Sequence, residues 1–430
     1  MSFYTLAFMA ELNFSPGDEI VLRLAHEEVR GIALESPESS IVMLKLSSGY
    51  NIGISKENIL GCEVVKKNLV SKLKKEEIVK NPELPSIGLV ITGGTIAAKL
   101  NPKTGGVHWL TDLDEFRRFY PELFKVTNVK TIIVPFMTSS EAMTSEHWIT
   151  IAEAVKPMLD NDEIKGVVVT HGTDFLHYTG AALSFFLKNL NKPVVLTYSQ
   201  RSIDRASSDA NLNLQCAARM ALSEAAEVML VGHANLDDDF CYALRGNKVR
   251  KMHSSRRDAF KPVNTEPIAK VWPDRVEYIS SFKKRNEGKP ELDADYSDKV
   301  ALVKFYPGQD PSILDFYALK YKGIVVEAAG LGHLAPAEAR HSWLAALKKH
   351  IRAGFVVCAA AQTINGRLDP YVYSNGRELV DAGVIFLEDM LAETALVKLG
   401  YVLGHYGWKK SIKDKMLENF AGELNEKLSV

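Results

Sequence analysis

The chain has 430 residues, 46% of them apolar and 24% charged, with a formal net charge of −1. That length exceeds one compact core and implies two or three domains, while the near-zero charge gives no bulk attraction to nucleic acid or membrane. The longest apolar stretches fall far short of a membrane span. The start Met1-Ser2-Phe3-Tyr4 lacks a basic region followed by an apolar core, so no export signal is expected. Cys62, Cys216, Cys241 and Cys358 are scattered without C-x-x-C spacing and read as thiols in a reducing compartment, the cytoplasm.

Taken in order, the segment from about Ser15 to Val65 shows short apolar runs at roughly ten-residue intervals. Ser15-Pro16-Gly17-Asp18, Ser36-Pro37-Glu38-Ser39 and Ser48-Gly49 punctuate them, the pattern of a small, mostly antiparallel β-barrel spanning residues 1–68. A basic stretch ending in Pro82 and Pro85 reads as a helix-then-linker connection, with the linker at 69–86. From Ile87 the rhythm becomes strand, loop, helix. Strands are expected at 87–92, 129–136, 166–170, 193–198 and 227–232, and helices at 111–119, 145–160, 176–189 and 209–224. This is the rhythm of a doubly wound α/β sheet over 87–282. The polar run from Lys283 to Pro290 marks a linker at 283–298. A smaller α/β domain at 299–430 follows, with strands near 299–306, 323–328, 354–359 and 384–386 and helices near 311–320, 336–351 and 389–403.

Two loops concentrate the chemistry. Thr92-Gly93-Gly94-Thr95-Ile96-Ala97 follows the run Ile87 to Ile91, and Thr170-His171-Gly172-Thr173-Asp174 follows Gly166 to Val169. Each sets a threonine hydroxyl at the end of a buried parallel strand, the edge where open α/β sheets bind ligands. Gly94 and Gly172 let backbone approach a ligand and leave amide N–H groups for an anion. The first loop taken alone is equally a turn. It fits neither the dinucleotide glycine fingerprint nor the phosphate-loop lysine pattern. The second loop taken alone is equally a helix cap. A threonine becomes a nucleophile only beside a base, and a lysine desolvated next to a threonine and a carboxylate is one. Lys251, in the basic stretch from Val249 to Asp258, is the candidate. The bland reading of that stretch is a solvated or interface loop.

In this order and spacing, the two threonine loops and Lys251 resemble the bacterial-type L-asparaginase amidohydrolase family over about residues 87–405. The resemblance implies a two-domain asparaginase-like α/β fold and an acyl-enzyme mechanism. Thr95 then matches the first nucleophilic threonine, and Thr173, Asp174 and Lys251 the second triad, with Asp174 also gripping the substrate amino group. Ser140 matches the serine that binds the substrate carboxylate. Ser208-Asp209-Ala210-Asn211 matches a structural helix start. Three positions depart from the pattern. Glu141 stands where asparaginases carry glutamine, Phe175 replaces a polar residue, and the tyrosine after the first threonine has no match, Pro102 occupying its region and Tyr120 being the next tyrosine. Either another group activates Thr95 or the Thr173–Lys251 pair does more of the work.

The N-terminal barrel, Lys251 to Phe260 and Val372 to Arg377 further resemble the D-subunit family of archaeal glutamyl-tRNA(Gln) amidotransferases. That resemblance implies a glutaminase releasing ammonia from glutamine, or asparagine, to an E-type partner subunit. The partner would bind most of Glu-tRNA(Gln), with ATP and magnesium on it and no cofactor or metal in this chain. A homodimer core within a heterotetramer is implied as well. The rivals are a stand-alone L-asparaginase and a non-catalytic RNA- or protein-binding module. His171 is expected to shape its loop and Arg256-Arg257 to form structural or interface ion pairs, and for His333 the structural reading outweighs contact with substrate or a subunit neighbour.

Overall fold

A computed structural model of the chain describes residues 12–36, 38–48, 50–67, 81–100, 107–110, 113–205 and 207–428. Most of the expected helix-and-linker connection after Lys67, together with Pro37, Gly49 and Pro102, lies outside these residues. The chain divides into two compact units.

In the first unit, alternation does the work that the sequence promised. Along Glu19–Arg23 and Ile41–Lys45 the buried residues are Ile20, Leu22, Val42 and Leu44, every second side chain, so one face of each strand feeds an apolar core. Five strands pair antiparallel in the order Asn51–Ser55, Ile41–Lys45, Glu28–Leu34, Glu19–Arg23, Gly61–Lys66. The last strand returns beside the first after a short 3-10 turn, Lys56–Asn58.

The second unit holds two α/β sheets. Its main sheet has eight strands. Asn128–Ile133, Ser86–Ile91, Ile164–Thr170, Val194–Thr197 and Val228–His233 run parallel, in that spatial order. Cys241–Arg245, Ala269–Val271 and Val276–Tyr278 extend the sheet antiparallel. The inner parallel strands, Ser86–Ile91, Ile164–Thr170, Val194–Thr197 and Val228–His233, are buried on both faces and so read as largely apolar runs, while the outer strand Asn128–Ile133 is only partly buried. Helix Ser145–Asp160 turns Ile151, Ala152, Val155, Met158 and Leu159 into the core, at the spacing a helix requires. A second sheet, Val300–Lys304, Gly323–Ala328, Val356–Ala361 and Ile385–Phe386, is wholly parallel.

Two stretches differ from expectation. The helix anticipated over 336–351 begins only at Leu344, because Pro336 to Ser342 folds as turns that deliver Trp343 into the core, fully buried. Residues 283–298, read as a linker, are pinned: Glu291–Leu292 pairs antiparallel with Leu187–Lys188, and Lys284 bridges to Ala225.

Candidate active site

Strands Ser86–Ile91 and Ile164–Thr170 are neighbours in register, Ile91 beside Thr170, so their following loops leave the same sheet edge side by side. The edge is stitched by Thr92, whose Oγ1 donates to Thr170 O at 2.8 Å and whose carbonyl accepts from Thr138 N at 3.1 Å. Gly93 and Gly94 then take φ of +118° and +78°, a region that favours glycine. A Cβ on Gly94 would lie 2.4 Å from Gly172 N and 2.6 Å from its Cα, so the two loops touch backbone to backbone. With one Cα step from each glycine to the next residue, the Cα atoms of Thr95 and Thr173 are held within about 12 Å. Thr95 opens a 3-10 turn, Thr95–Ala97, and is half-buried.

The second loop is fastened by His171. Its Nδ1 donates to Gly172 O at 2.7 Å, and its Nε2 accepts from Thr179 Oγ1 at 2.9 Å, an assignment that requires the neutral ring. Complete burial agrees, drawing its pKa down to about 4 against the milder opposing pull of the Gly172 carbonyl. Beyond it, Lys251 Nζ donates to Thr173 Oγ1 and to Asp174 Oδ1, each at 2.8 Å. Lys251 reaches there from the hairpin Val249–Lys251 and Phe260–Pro262, with its side chain only 9% exposed while that of Asp174 is 60% exposed. A shielded amine thus touches a hydroxyl, and the carboxylate beside it faces outward. Such an arrangement can pass a proton between Lys251 and Thr173 and leave Asp174 open to a cationic group.

Ser140, buried in the turn Ser140–Ala142, closes the third side, since a Cβ on Gly172 would lie 2.7 Å from Ser140 Oγ. Glu141, on the same turn, is exposed and makes no hydrogen bond or ion pair among the described residues. The amide N–H groups of Gly94, Thr95 and Thr173 likewise donate to no acceptor among the described residues.

The remaining sequence candidates fall elsewhere. Arg256 bonds both oxygens of Asp258, and Arg257 pairs with Asp238 at 2.6 Å, structural ties as anticipated. His333 sits in a tight turn under Tyr373, with its Nε2 unpartnered. Asp209 accepts from the backbone N–H of Gln200 and Arg201, which fixes the helix start Ala210–Ala221.

Two residues near the site were given no role by the sequence reading. Tyr120, fully buried, donates its hydroxyl to Ile96 O at 2.5 Å, clamping the turn that carries Thr95. His177, in the first turn of helix Leu176–Phe186, is buried with Nδ1 unpartnered. Burial first, then the charges of Arg250 and Lys251, pull its pKa down to about 3. Its signal was a histidine four residues after Thr173, which alone does not distinguish a site residue from a core one.

Among the described residues, Asp293, Asp295 and His405 are the one trio of donors close enough to share a metal. Lys188, Tyr401 and His405 already bond Asp293, so this trio reads as an ion-pair cluster.

Fold and site together define an asparaginase-type α/β amidohydrolase. Residues 86–284 match the family model Asparaginase, N-terminal, and 299–416 match the Glutaminase/Asparaginase C-terminal domain. The L-asparaginase of Thermococcus kodakarensis superposes with a TM-score of 0.71 at 31% identity, covering 80% of this chain and 100% of its own. L-asparaginase I of Vibrio cholerae gives 0.67 at 28%, covering 80% and 99%. Residues 14–65 match a third model, the GatD N-terminal domain. The D subunit of glutamyl-tRNA(Gln) amidotransferase from Thermococcus kodakarensis is 45% identical over 97% of this chain and 96% of its own. That of Pyrococcus furiosus is 46% identical over 92% and 91%. The chain belongs to the family of glutamyl-tRNA(Gln) amidotransferase D subunits. No described helix is long and apolar enough to cross a membrane.

Proposed function

We propose that this chain is the glutaminase of a tRNA-dependent amidotransferase, working in the cytoplasm. Glutamine binds with its ammonium at Asp174 and its α-carboxylate near Ser140, while Glu141 sets the polarity at the edge of that site. Thr95 Oγ attacks the side-chain amide carbon, and its proton passes to the Thr173–Lys251 pair, with Lys251 acting as the neutral amine. Free amide N–H groups of the Gly94 and Gly172 loops hold the oxyanion. Collapse of the tetrahedral intermediate breaks the C–N bond. The Thr173–Lys251 pair returns its proton to that nitrogen, which leaves as ammonia, and water then hydrolyses the acyl-threonine to glutamate.

The observation that carries this reading is the contact of Lys251 with both Thr173 and Asp174, on a loop in backbone contact with the one that bears Thr95. In the same proposal ammonia passes to an E-type partner subunit, which activates Glu-tRNA(Gln) with ATP and magnesium and converts it to Gln-tRNA(Gln). This chain supplies a homodimer core to the heterotetramer and holds no cofactor of its own. The names of the full-length relatives and the presence of residues 14–65 favour this over a free asparaginase.

The test is glutaminase turnover by the purified chain with and without its partner and Glu-tRNA(Gln). Turnover should rise when both are added, and Thr95→Ala and Thr173→Ala should each lower kcat by about a thousandfold or more without adding in the double variant. Rapid asparagine hydrolysis indifferent to partner and tRNA would instead assign a free asparaginase. Full activity in both alanine variants would remove the chain from catalysis.

A further inference from the structure

At the edge of the main sheet opposite Thr95 lies a cleft of about 660 Å³. One wall is the amino end of strand Val228–His233, with Glu227 before it and Arg245 and Asn247 beside it. The other is the C-terminal segment, with Trp408, Lys415 and Phe420. Strands Ser86–Ile91 and Val228–His233 are each six residues long, so the cleft stands on the order of 20 Å from the threonine loops. None of the chemistry assigned above uses it.

Its volume is that of small-molecule sites, which run roughly from 300 to 1,000 Å³ and pair an apolar floor with a few directed polar groups. The floor is apolar: Phe185, Leu190 and Val228 are buried. The rim is cationic, with Lys188, Arg245, Lys283 and Lys415 set against two carboxylates, Glu227 and Glu418. Arg245 pairs with Glu227 at 3.4 Å and Lys415 with Glu418 at 2.7 Å, and Lys188 is held by Asp293. The Lys283 ammonium has no partner among the described residues. Nζ of Lys188 and of Lys415 lie 5.6 and 4.9 Å from the Trp408 ring centre, so an aromatic surface fixes two charges at the mouth. Deeper in, Asn247 is 2% exposed and spends its Nδ2 on Ala421 O at 2.8 Å. Its Oδ1 accepts no hydrogen bond among the described residues, which leaves an acceptor for an amino group.

We propose that this cleft binds a nucleotide, its aminated planar base against the apolar floor within reach of Asn247 and its phosphate among Lys283, Lys415 and Arg245. One rim cation, Lys283, is left uncompensated beside three that are paired, and this excess of positive charge favours an anion, while an unused amide acceptor beside apolar walls favours a flat ring bearing an amino group. Neither feature alone selects this class; their convergence in one cleft does.

The test is equilibrium dialysis of the whole chain, in complex with its partner where the two co-purify, against AMP. Adenosine, inosine monophosphate and inorganic phosphate serve as companion probes. One site per chain with Kd below about 1 mM is expected, tighter for AMP than for any companion and weaker at higher salt. Lys283→Glu, at an exposed position, and Lys415→Ala should each weaken AMP binding by about tenfold or more. Trp408→Phe should lose the fluorescence change on AMP addition while keeping the dialysis signal. No saturation by about 10 mM AMP, indifference to both lysine variants, or a companion probe binding as tightly as AMP would overturn the proposal. Glutaminase activity does not enter the readout, so this outcome is independent of the catalytic assignment.

Discussion

Lys251 Nζ donates to Thr173 Oγ1 and to Asp174 Oδ1, 2.8 Å from each, with its side chain nearly out of solvent. The amine is therefore positioned by two acceptors, and its proton faces the threonine directly. Lys251→Met keeps most of the side-chain volume and removes the amine. It should lower kcat about a hundredfold or more, with KM and melting temperature little changed. Lys251→Arg should not restore the rate, because a planar guanidinium stays charged and cannot stand in for a compact amine that takes up and returns a proton. Steady-state kinetics on both variants decide it; a near-normal kcat in Lys251→Met would remove the lysine from proton transfer.

The two threonine loops meet at Gly94 and Gly172, where there is no room for a side chain. Gly94→Ala should therefore inactivate the enzyme and lower its stability. Gly308 has nearly the same φ, +79°, but open space around its missing Cβ, so Gly308→Ala isolates the backbone cost. That control should lose about 1 kcal/mol and stay active. Denaturant titration and amidase assay of the pair separate conformational strain from the loop collision.

Tyr120 is not a mobile residue: it is fully buried and bonded to the carbonyl of Ile96. Burial, with Asp209 and Asp204 nearby, pushes its phenol pKa far up and keeps it a donor. Tyr120→Phe strands that carbonyl, at a cost of about 1–3 kcal/mol. The loosened turn should lower kcat more than it raises KM, since Thr95 belongs to the same turn. An unchanged kcat with a lower melting temperature would limit Tyr120 to the fold.

His171 makes stability depend on pH with a definite sign. Its folded pKa of about 4 lies below the ordinary 6.5, so the unfolded chain binds the proton more readily. The stabilising contribution is complete above about pH 6.5 and is lost as the pH falls toward 4, up to about 3 kcal/mol. His177 acts in the same direction. His171→Asn offers an amide nitrogen in place of Nδ1 and does not titrate. Its melting temperature should fall less steeply from pH 7 to 4 than that of the native chain, and an equal slope would acquit His171.

Much of the fold could be read directly. Helix Ser145–Asp160 and the parallel strands follow from local periodicity and unbroken apolar runs, signals that survive without knowledge of neighbours. The three-residue strands Ala269–Val271 and Val276–Tyr278 could not be read, because so short a segment is held by its pairing partners and carries no pattern of its own. The role of Tyr120 escaped for the same reason: its bond to Ile96 spans 24 residues.

The sequence alone determined where the hydroxyls stand, because a glycine-flanked threonine at the end of an apolar run is a local arrangement fixed by backbone sterics and burial. Only the tertiary structure decided which amine reaches which hydroxyl. Lys251 meets Thr173 across 78 residues because a hairpin and a sheet edge are packed together, and no local pattern encodes that distance.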